Sequence, residues 1–348
     1  MNTAKSDGIA VFCLTPGGVA LAKRLQAKLP VTCFTRDTLL QPGFIPFAHG
    51  FAATVRAAFS EYSALVFICA TGIAVRVLAP LLEDKFSDPA VVVLDERGQH
   101  VISLLSGHVG GANALTLRLA ELLGADPVIT TATDVNELAA LDTLACALDA
   151  RMADFRTAVK QVNQLLVSGG RVGLWWDAPF RKRAAGLNTR GFIAVDDLDA
   201  LPPLDALVCV SMRAQLPVEC LKLVPQRIVA GMGCRRDTAP TVAAALLRLA
   251  LAARNLDPLS LHAIGSIDLK ADEPALINLA ADYRVPFQTF SADALRAYES
   301  RFTTSDFVRQ TTGVGAISGP AVCCLGGEPL SGDALREYGV TLTLGVLH

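Results

Sequence analysis

Residues 64–70 read ALVFICA and residues 90–95 read AVVVLD. Neither run alternates apolar with polar side chains. Both faces of such an extended segment are apolar, which suits strands covered on two sides, as in a mostly parallel sheet with helices above and below it. Working outward, strands are predicted at Gly8–Leu14, Val31–Phe34 and Val101–Leu105, with a tight turn at Glu96-Arg97-Gly98. Helices are predicted from Gly17 to about Lys28 and over Phe51–Ser60, Ile73–Leu82 and His108–Leu123, and a strand over Pro127–Thr131 closes the unit.

Beyond it, Val135–Val167 reads as largely helical, and Arg171–Trp176 and Ala206–Ser211 as strands. Asp177–Leu204 is rich in Pro, Gly and Asp and receives no element. A fresh β/α unit begins with strand Arg227–Gly231. Helix Ala239–Asn255, strand His262–Ile267, helix Glu273–Tyr283 and strand Phe287–Phe290 continue it. Helices Ala292–Tyr298 and Gly315–Leu325 and strand Val340–Val346 complete it. The expected architecture is a multi-domain α/β protein with mostly parallel sheets flanked by helices and a separate C-terminal α/β domain. Boundaries near Asp134 and Pro225 divide it into an N-terminal domain (1–133), a partly helical middle region (134–224) and a C-terminal domain (225–348).

The chain has 348 residues, 31 basic and 33 acidic, for a formal net charge of −2. That balance gives no global attraction to nucleic acid or an anionic membrane. Hydrophobic residues make up 52% and charged residues 18%, against about 25% charged in ordinary soluble domains. A large core is therefore available, and some surface is expected to be covered by a partner domain, a bulky ligand, a second copy of the chain or another enzyme. The most apolar helix candidate, Thr241–Ala253, carries Arg248, so a membrane span is not expected. Met1–Leu14 has Lys5 and Asp7 ahead of a short apolar run, too short for a signal-peptide core and better read as a first strand. The nine cysteines are scattered, and Cys323-Cys324 is a vicinal pair, a poor geometry for a structural disulfide. Reduced thiols in the cytoplasm are the simplest reading.

Glycine turns carry the chemistry. Ser103–Asn113 reads SLLSGHVGGAN, a strand running through Ser106, Gly107 and His108 into Gly110-Gly111 and a helix. Such turns bring backbone N–H groups and a helix N-terminus toward an anion, and His108 can exchange protons near neutral pH. The same residues also serve a plain turn and a helix cap. Cys69–Arg76 reads CATGIAVR, with Thr71 and Gly72 in the turn and Arg76, able to grip a carboxylate in bidentate fashion, one turn on. Ile129–Asn136 reads ITTATDVN and ends in Asp134, a candidate base or an N-cap. Each of these stretches follows a predicted strand, and one shared cleft at one sheet edge is the expectation. In the last third, GMGCRR brings Arg235 and Arg236 after a strand, and GSIDLKADEP brings Ser266, Asp268, Lys270 and Glu273 after another. A polyanion site or an exposed charged loop would both account for them. No histidines are paired at metal-ligand spacing, and neither a nucleophile elbow nor an H-E-x-x-H motif occurs. Cys234 reads as a buried, inert thiol. The glycine spacings match neither a dinucleotide fold nor a P-loop.

Taken together, the stretch FICATGIAVRVLAPLLEDKFSDPAVVVLDERGQHVISLLSGHVGGAN (67–113), PVITTATDVN (127–136), VAGMGCRR (229–236), IGSIDLKADEP (264–274) and TGVG (312–315) resemble the cobalt-precorrin-5A hydrolase (CbiG) family of oxygen-independent cobalamin biosynthesis. The resemblance implies a cobalt-bound tetrapyrrole substrate with many acetate and propionate groups. It implies opening of a δ-lactone by water and release of a two-carbon fragment as acetaldehyde, giving cobalt-precorrin-5B. The cobalt belongs to the substrate, so no protein metal and no cofactor are expected. Mapped onto this chain, His108 or Asp134 would activate water, and amides between Gly107 and Gly111 would bind the oxyanion. Arg76, Lys85, Arg235, Arg236 and Lys270 would hold carboxylates, with Thr71, Gly72, Ser106, Asn113, Ser266, Asp268 and Glu273 lining the substrate. A non-catalytic corrinoid-handling protein is the alternative reading; a methyltransferase lacks its glycine-rich segment here. The chain departs from the family pattern at Gly319-Pro320, where a glutamate often precedes the proline, and at Ser331–Glu337, which offers only Arg336 where a lysine often occurs.

Overall fold

The computed structural model describes residues 6–330 and 334–348; Lys5, invoked in reading the N-terminus, and Ser331–Asp333 of the C-terminal stretch lie outside these. The chain forms two compact units that divide between Thr143 and Leu144.

The first unit is built on a seven-stranded sheet. Its strands are β1 (Ser6–Cys13), β2 (Val31–Thr35), β3 (Phe44–Pro46), β4 (Tyr62–Ile68), β5 (Ala90–Leu94), β6 (His100–Leu105) and β7 (Asp126–Val128), in the order β3-β2-β1-β4-β5-β6-β7. The two-faced apolar runs do what their composition requires. Phe12, Leu65, Phe67, Val91 and Val93 pack on one side with Val55, Phe59, Ala74 and Leu78. Val11, Cys13, Val66, Ile68, Val92 and Leu94 pack on the other with Leu21, Leu25 and Leu119. Helices Phe51–Glu61 and Thr71–Leu78 thus cover one face, and Pro16–Gln26 and Ala112–Leu123 the other. Phe12 stacks on Phe67 with ring centroids 5.1 Å apart; burying aromatics of this size dominates core energetics.

One reversal decides where the sites fall. β1 to β5 are parallel, but β6 returns antiparallel to β5. Asp95 makes the turn: its carboxylate accepts hydrogen bonds from the amides of Arg97 (2.9 Å), Gln99 (2.9 Å) and His100 (2.7 Å), and Gly98 takes a φ of 67°. β7 then runs parallel to β6.

The second unit holds two sheets. One has β8 (Ala150–Arg151), β9 (Val172–Trp176), β10 (Phe192–Val195), β11 (Ala206–Val210) and β12 (Leu221–Pro225), in the order β10-β9-β11-β12-β8. The other has β13 (Ile228–Cys234), β14 (Leu261–Ile267), β15 (Phe287–Phe290), β16 (Glu328–Pro329), β17 (Leu335–Glu337) and β18 (Val340–Val346). Its order is β15-β14-β13-β18-β16, with β17 paired to β18. β13, β14 and β15 are parallel; β18 runs against β13.

Several elements differ from the sequence reading. The helix expected from His108 starts at Ala112, because Ser106 (φ 57°) and Gly111 (φ 84°) adopt left-handed backbone that a helix cannot contain. The strand expected at Pro127–Thr131 is Asp126–Val128. The long helix of Val135–Val167 is three helices, Ala132–Val135, Leu141–Leu148 and Phe155–Val167, with β8 between the last two. The helix expected over Gly315–Leu325 is confined to Ser318–Cys324. Strands β3, β10 and β12 and helix Asp306–Thr312 were not predicted.

Candidate active site

The antiparallel return of β6 separates two glycine turns that the sequence places side by side. Ile68, at the end of β4, pairs with Leu94, at the end of β5. Leu105, at the end of β6, pairs with Val91, at the start of β5. Thr71 and Gly72 therefore follow one edge of the sheet, while Ser106–Gly111 leaves the other, a strand length of about 17–20 Å away. The expectation of one shared edge fails for the Cys69–Arg76 turn, where Arg76 Nη1 donates to the Gly72 carbonyl at 3.1 Å. Thr131–Asp134 does share the Ser106–Gly111 edge, because β7 is parallel to β6. The loop carrying Lys85 enters β5 at this same edge. A Cβ on Gly110 would lie 3.3 Å from the Asp88 carbonyl, so the two loops are in contact. Lys85 itself is exposed, with Nζ 4.7 Å from the centre of the Phe86 ring.

His108 sits between two carboxylates. Nδ1 lies 3.2 Å from Asp142 Oδ2, and Nε2 lies 2.9 Å from Asp134 Oδ2 and 3.1 Å from Thr133 Oγ1. The side chain of Asp142 is 5% exposed, that of His108 15% and that of Asp134 39%. Asp142 is thus the buried anchor, and Asp134 faces the open side. The hydrogen bond that His108 donates to Asp142 raises the His108 pKa above its ordinary 6.5; burial opposes the rise, and Asp134 adds to it. With a carboxylate at each nitrogen, the protonated ring donates twice.

A second row of bonds holds Asp134. Ser103 Oγ donates to Asn113 Oδ1 at 2.6 Å, and Asn113 Nδ2 donates to Asp134 Oδ2 (3.0 Å) and to Thr131 Oγ1 (3.1 Å). Asn113 is buried and its amide nitrogen is taken up by these internal partners. The glycines make the turn compact. A Cβ on Gly110 would fall 2.3 Å from Ser106 Cβ, and one on Gly107 would fall 2.7 Å from Asn113 Oδ1. The amides of Gly111, Ala112 and Asn113 bond back to the carbonyls of His108, Ser106 and Gly107, which leaves the amides between Gly107 and Gly110 as the ones able to face a ligand.

The sequence reading missed Asp142. It lies in the first turn of helix Leu141–Leu148, where an acid is ordinary helix chemistry, and its pairing with His108 arises only through the fold. Among the described residues no group of three or more His, Cys, Asp or Glu is placed to hold a metal ion.

In the second unit the C-terminal ends of β13 and β14 and the start of β18 meet at one edge, since Cys234 pairs with Val340. A cleft of about 750 Å³ opens there, lined by Arg235, Arg236 and Lys270 among others. Lys270 Nζ pairs with Glu273 Oε2 at 2.8 Å, both largely buried. Ser266 is fully buried and donates to the Met232 carbonyl at 2.7 Å. Asp268 is exposed in the short 3₁₀ turn Asp268–Lys270. Cys234 lines the cleft, with its pKa raised by burial. Gly319 sits where a Cβ would meet the Phe302 ring at 2.3 Å, so this chain has no room for a glutamate at that position.

Three family descriptions match consecutive parts of the chain: cobalamin synthesis G N-terminal over residues 53–134, cobalamin biosynthesis central region over 139–225, and cobalamin synthesis G C-terminus over 228–345. A protein of Salmonella typhimurium named cobalt-precorrin-5A hydrolase is 66% identical over the full length of both chains. One of Priestia megaterium with the same name is 28% identical over 97% of this chain and 94% of its own. A crystal structure of a putative cobalamin biosynthesis protein G homolog from Sulfolobus solfataricus aligns over 98% of both chains at 18% identity, with a TM-score of 0.38. The chain belongs to the cobalt-precorrin-5A hydrolase family.

Proposed function

We propose that this chain is a cobalt-precorrin-5A hydrolase that opens the substrate's δ-lactone and releases acetaldehyde, giving cobalt-precorrin-5B in cobalamin biosynthesis. The observation that carries the mechanism is the Asp142–His108–Asp134 row at the Ser106–Gly111 turn, in a chain 66% identical along its whole length to a protein of that name.

The working form has His108 neutral, with its one proton on Nδ1 and donated to Asp142. Without that second proton Nε2 no longer donates to Asp134, and a water that takes the place of this bond is polarised by both groups. As that water attacks the lactone carbonyl, Nε2 takes its proton. Amides between Gly107 and Gly110 meet the developing oxyanion; one such donor is commonly worth about 2.7–4 kcal/mol of barrier. The tetrahedral species expels the ring oxygen, leaving a carboxylic acid, whose remaining proton passes to solvent, and an alkoxide on the former meso carbon. The alkoxide carbonyl forms as the C–C bond to the macrocycle breaks. The electron pair enters the conjugated ring, which takes up the proton that His108 accepted from water. The cobalt is part of the substrate, and no further cofactor enters the scheme.

Peripheral carboxylates need fixed partners, because misplacement by about 1 Å costs on the order of 100-fold in rate. Lys85 is suited to this beside the His108 turn. The scattered cysteines, with no C-x-x-C spacing among them, support a reducing, cytoplasmic setting; among the described residues no helix is long and apolar enough to cross a membrane. The test is anaerobic incubation with the lactone-bearing substrate and trapping of the aldehyde by a hydrazine. Wild type releases acetaldehyde and His108→Ala binds substrate without releasing it. Binding by wild type with no aldehyde formed would instead identify a carrier of corrinoid intermediates.

A further inference from the structure

The cleft of the second unit is complete within that unit, since every residue lining it comes after Ile228. Its charge is one-sided: Arg235, Arg236, Lys270 and Arg336 line it against the single acid Glu337. Lys270 is already matched by Glu273, whereas among the described residues no acid pairs with Arg235 or Arg236, both exposed. The mouth is apolar in a way water does not favour. Phe307 is 75% exposed, Tyr338 86% and Leu269 58%, and exposed aromatics gathered at one opening mark a ligand surface.

Tyr338 adds an independent sign. It and Gly339 form the two-residue turn between β17 and β18, with φ angles of 50° and 78°. Such turns take Asn or Gly at the first position, because a bulky side chain in left-handed backbone is strained. A tyrosine held there at a cost of about 1–3 kcal/mol is the kind of strain that persists at ligand sites. The turn also fixes its neighbour: the Arg235 amide donates to the Gly339 carbonyl at 3.0 Å, and a Cβ on Gly339 would touch the Arg235 side chain at 3.0 Å. The turn that carries Tyr338 is therefore packed directly against the Arg235 side chain. The segment carrying Phe307 is fixed as well, because Glu299 Oε1 accepts from the Gly315 amide (2.7 Å) and pairs with Arg309 (2.6 Å), anchoring helix Asp306–Thr312.

We propose that this cleft is a self-contained macrocycle-binding site, in which Tyr338 and Phe307 cover one face of a flat conjugated ring while Arg235 and Arg236 hold carboxylates on its rim, and that it binds without any residue of the His108 site. The ligand class rests on the proposed function; the site itself rests on the cleft. The full chain is titrated, by the change in corrin absorbance, with cobyrinic acid, a stable cobalt corrinoid with free carboxylates, and with cobinamide, its amidated counterpart. The wild type binds cobyrinic acid more tightly. The double variant Arg235→Gln/Arg236→Gln loses at least about tenfold for cobyrinic acid and little for cobinamide. Tyr338→Gly weakens both ligands while relieving the turn, so its unfolding midpoint does not fall. His108→Ala binds as wild type. Absent binding, insensitivity to Tyr338→Gly and the arginine pair, or loss in His108→Ala would each overturn the proposal. Acetaldehyde release is scored separately, so failure of the hydrolytic reading leaves this result legible.

Discussion

Replacing Asp142 with asparagine keeps the shape of the buried anchor and removes its charge 3.2 Å from His108 Nδ1. A hydrogen bond to a charged group is worth about 1.5–3 kcal/mol, and the amide can also present an N–H to Nδ1. That would drive the remaining proton to Nε2, the nitrogen that has to accept one. Proton transfer by a positioned base contributes about 10²–10⁴ to rate, so kcat of Asp142→Asn falls within that range while KM changes little. The pH dependence supplies a sign. Asp142 raises the His108 pKa above 6.5, and only the neutral ring is a base. In wild type kcat/KM therefore climbs with pH along a limb centred above 6.5, and in Asp142→Asn this limb moves to lower pH. The same shift shows in stability. A histidine whose folded pKa is raised contributes stability that is fully present below the unfolded value and lost as pH rises through the folded value. Urea unfolding of wild type thus weakens from pH 6.5 upward, and the variant's profile is flatter there. A kcat/KM limb that stays in place in Asp142→Asn, with His108 still titrating as in wild type by NMR, would mean that Asp142 does not set the protonation of His108.

Gly110→Ala pushes a methyl to 2.3 Å from Ser106 Cβ; overpacking costs about 1–3 kcal/mol, and the variant shows a lower unfolding midpoint together with reduced turnover. Glu273→Gln leaves Lys270 without its partner in a pair that is 14% and 5% exposed, and denaturant unfolding records a loss of about 3–5 kcal/mol. Gly319→Ala drives a methyl into the Phe302 ring and lowers the thermal midpoint, with less effect on His108 titration than on stability. Cys234, its thiol raised by burial, alkylates slowly with iodoacetamide at pH 7 beside a free thiol standard.

The central strands were legible because two-faced burial leaves a plain mark: Leu65 and Phe67 point to one core, Val66 and Ile68 to the other. The short strands were not, since Phe44–Pro46 and Phe192–Val195 are only partly buried and take their identity from the neighbours they pair with. The turn at Glu96–Gly98 is plain in the sequence, and a tight turn between two strands already implies that the second ends at the opposite edge. Followed through, that reversal alone separates Thr71, Gly72 and Arg76 from His108. His108 and Asp134 were legible as candidates because glycine and hydroxyl residues crowd their turns. Asp142 was not, because a helix-initiating acid looks the same whether or not a histidine rests on it. Ser266 and Glu273 read as ligand-facing because their loop is polar, yet Ser266 caps a backbone carbonyl and Glu273 neutralises Lys270. Tyr338 escaped notice because its signal is conformational.

Oxygen tracing shows which carbon the water attacks. Under single-turnover conditions in ¹⁸O-enriched water, attack at the acyl carbon by water activated at His108 places one heavy oxygen in the liberated acetate side chain of the macrocycle, as read by mass spectrometry. A side chain that retains only its original oxygens, while acetaldehyde is still released, would mean that water enters at the meso-derived carbon and that the site does not work as described.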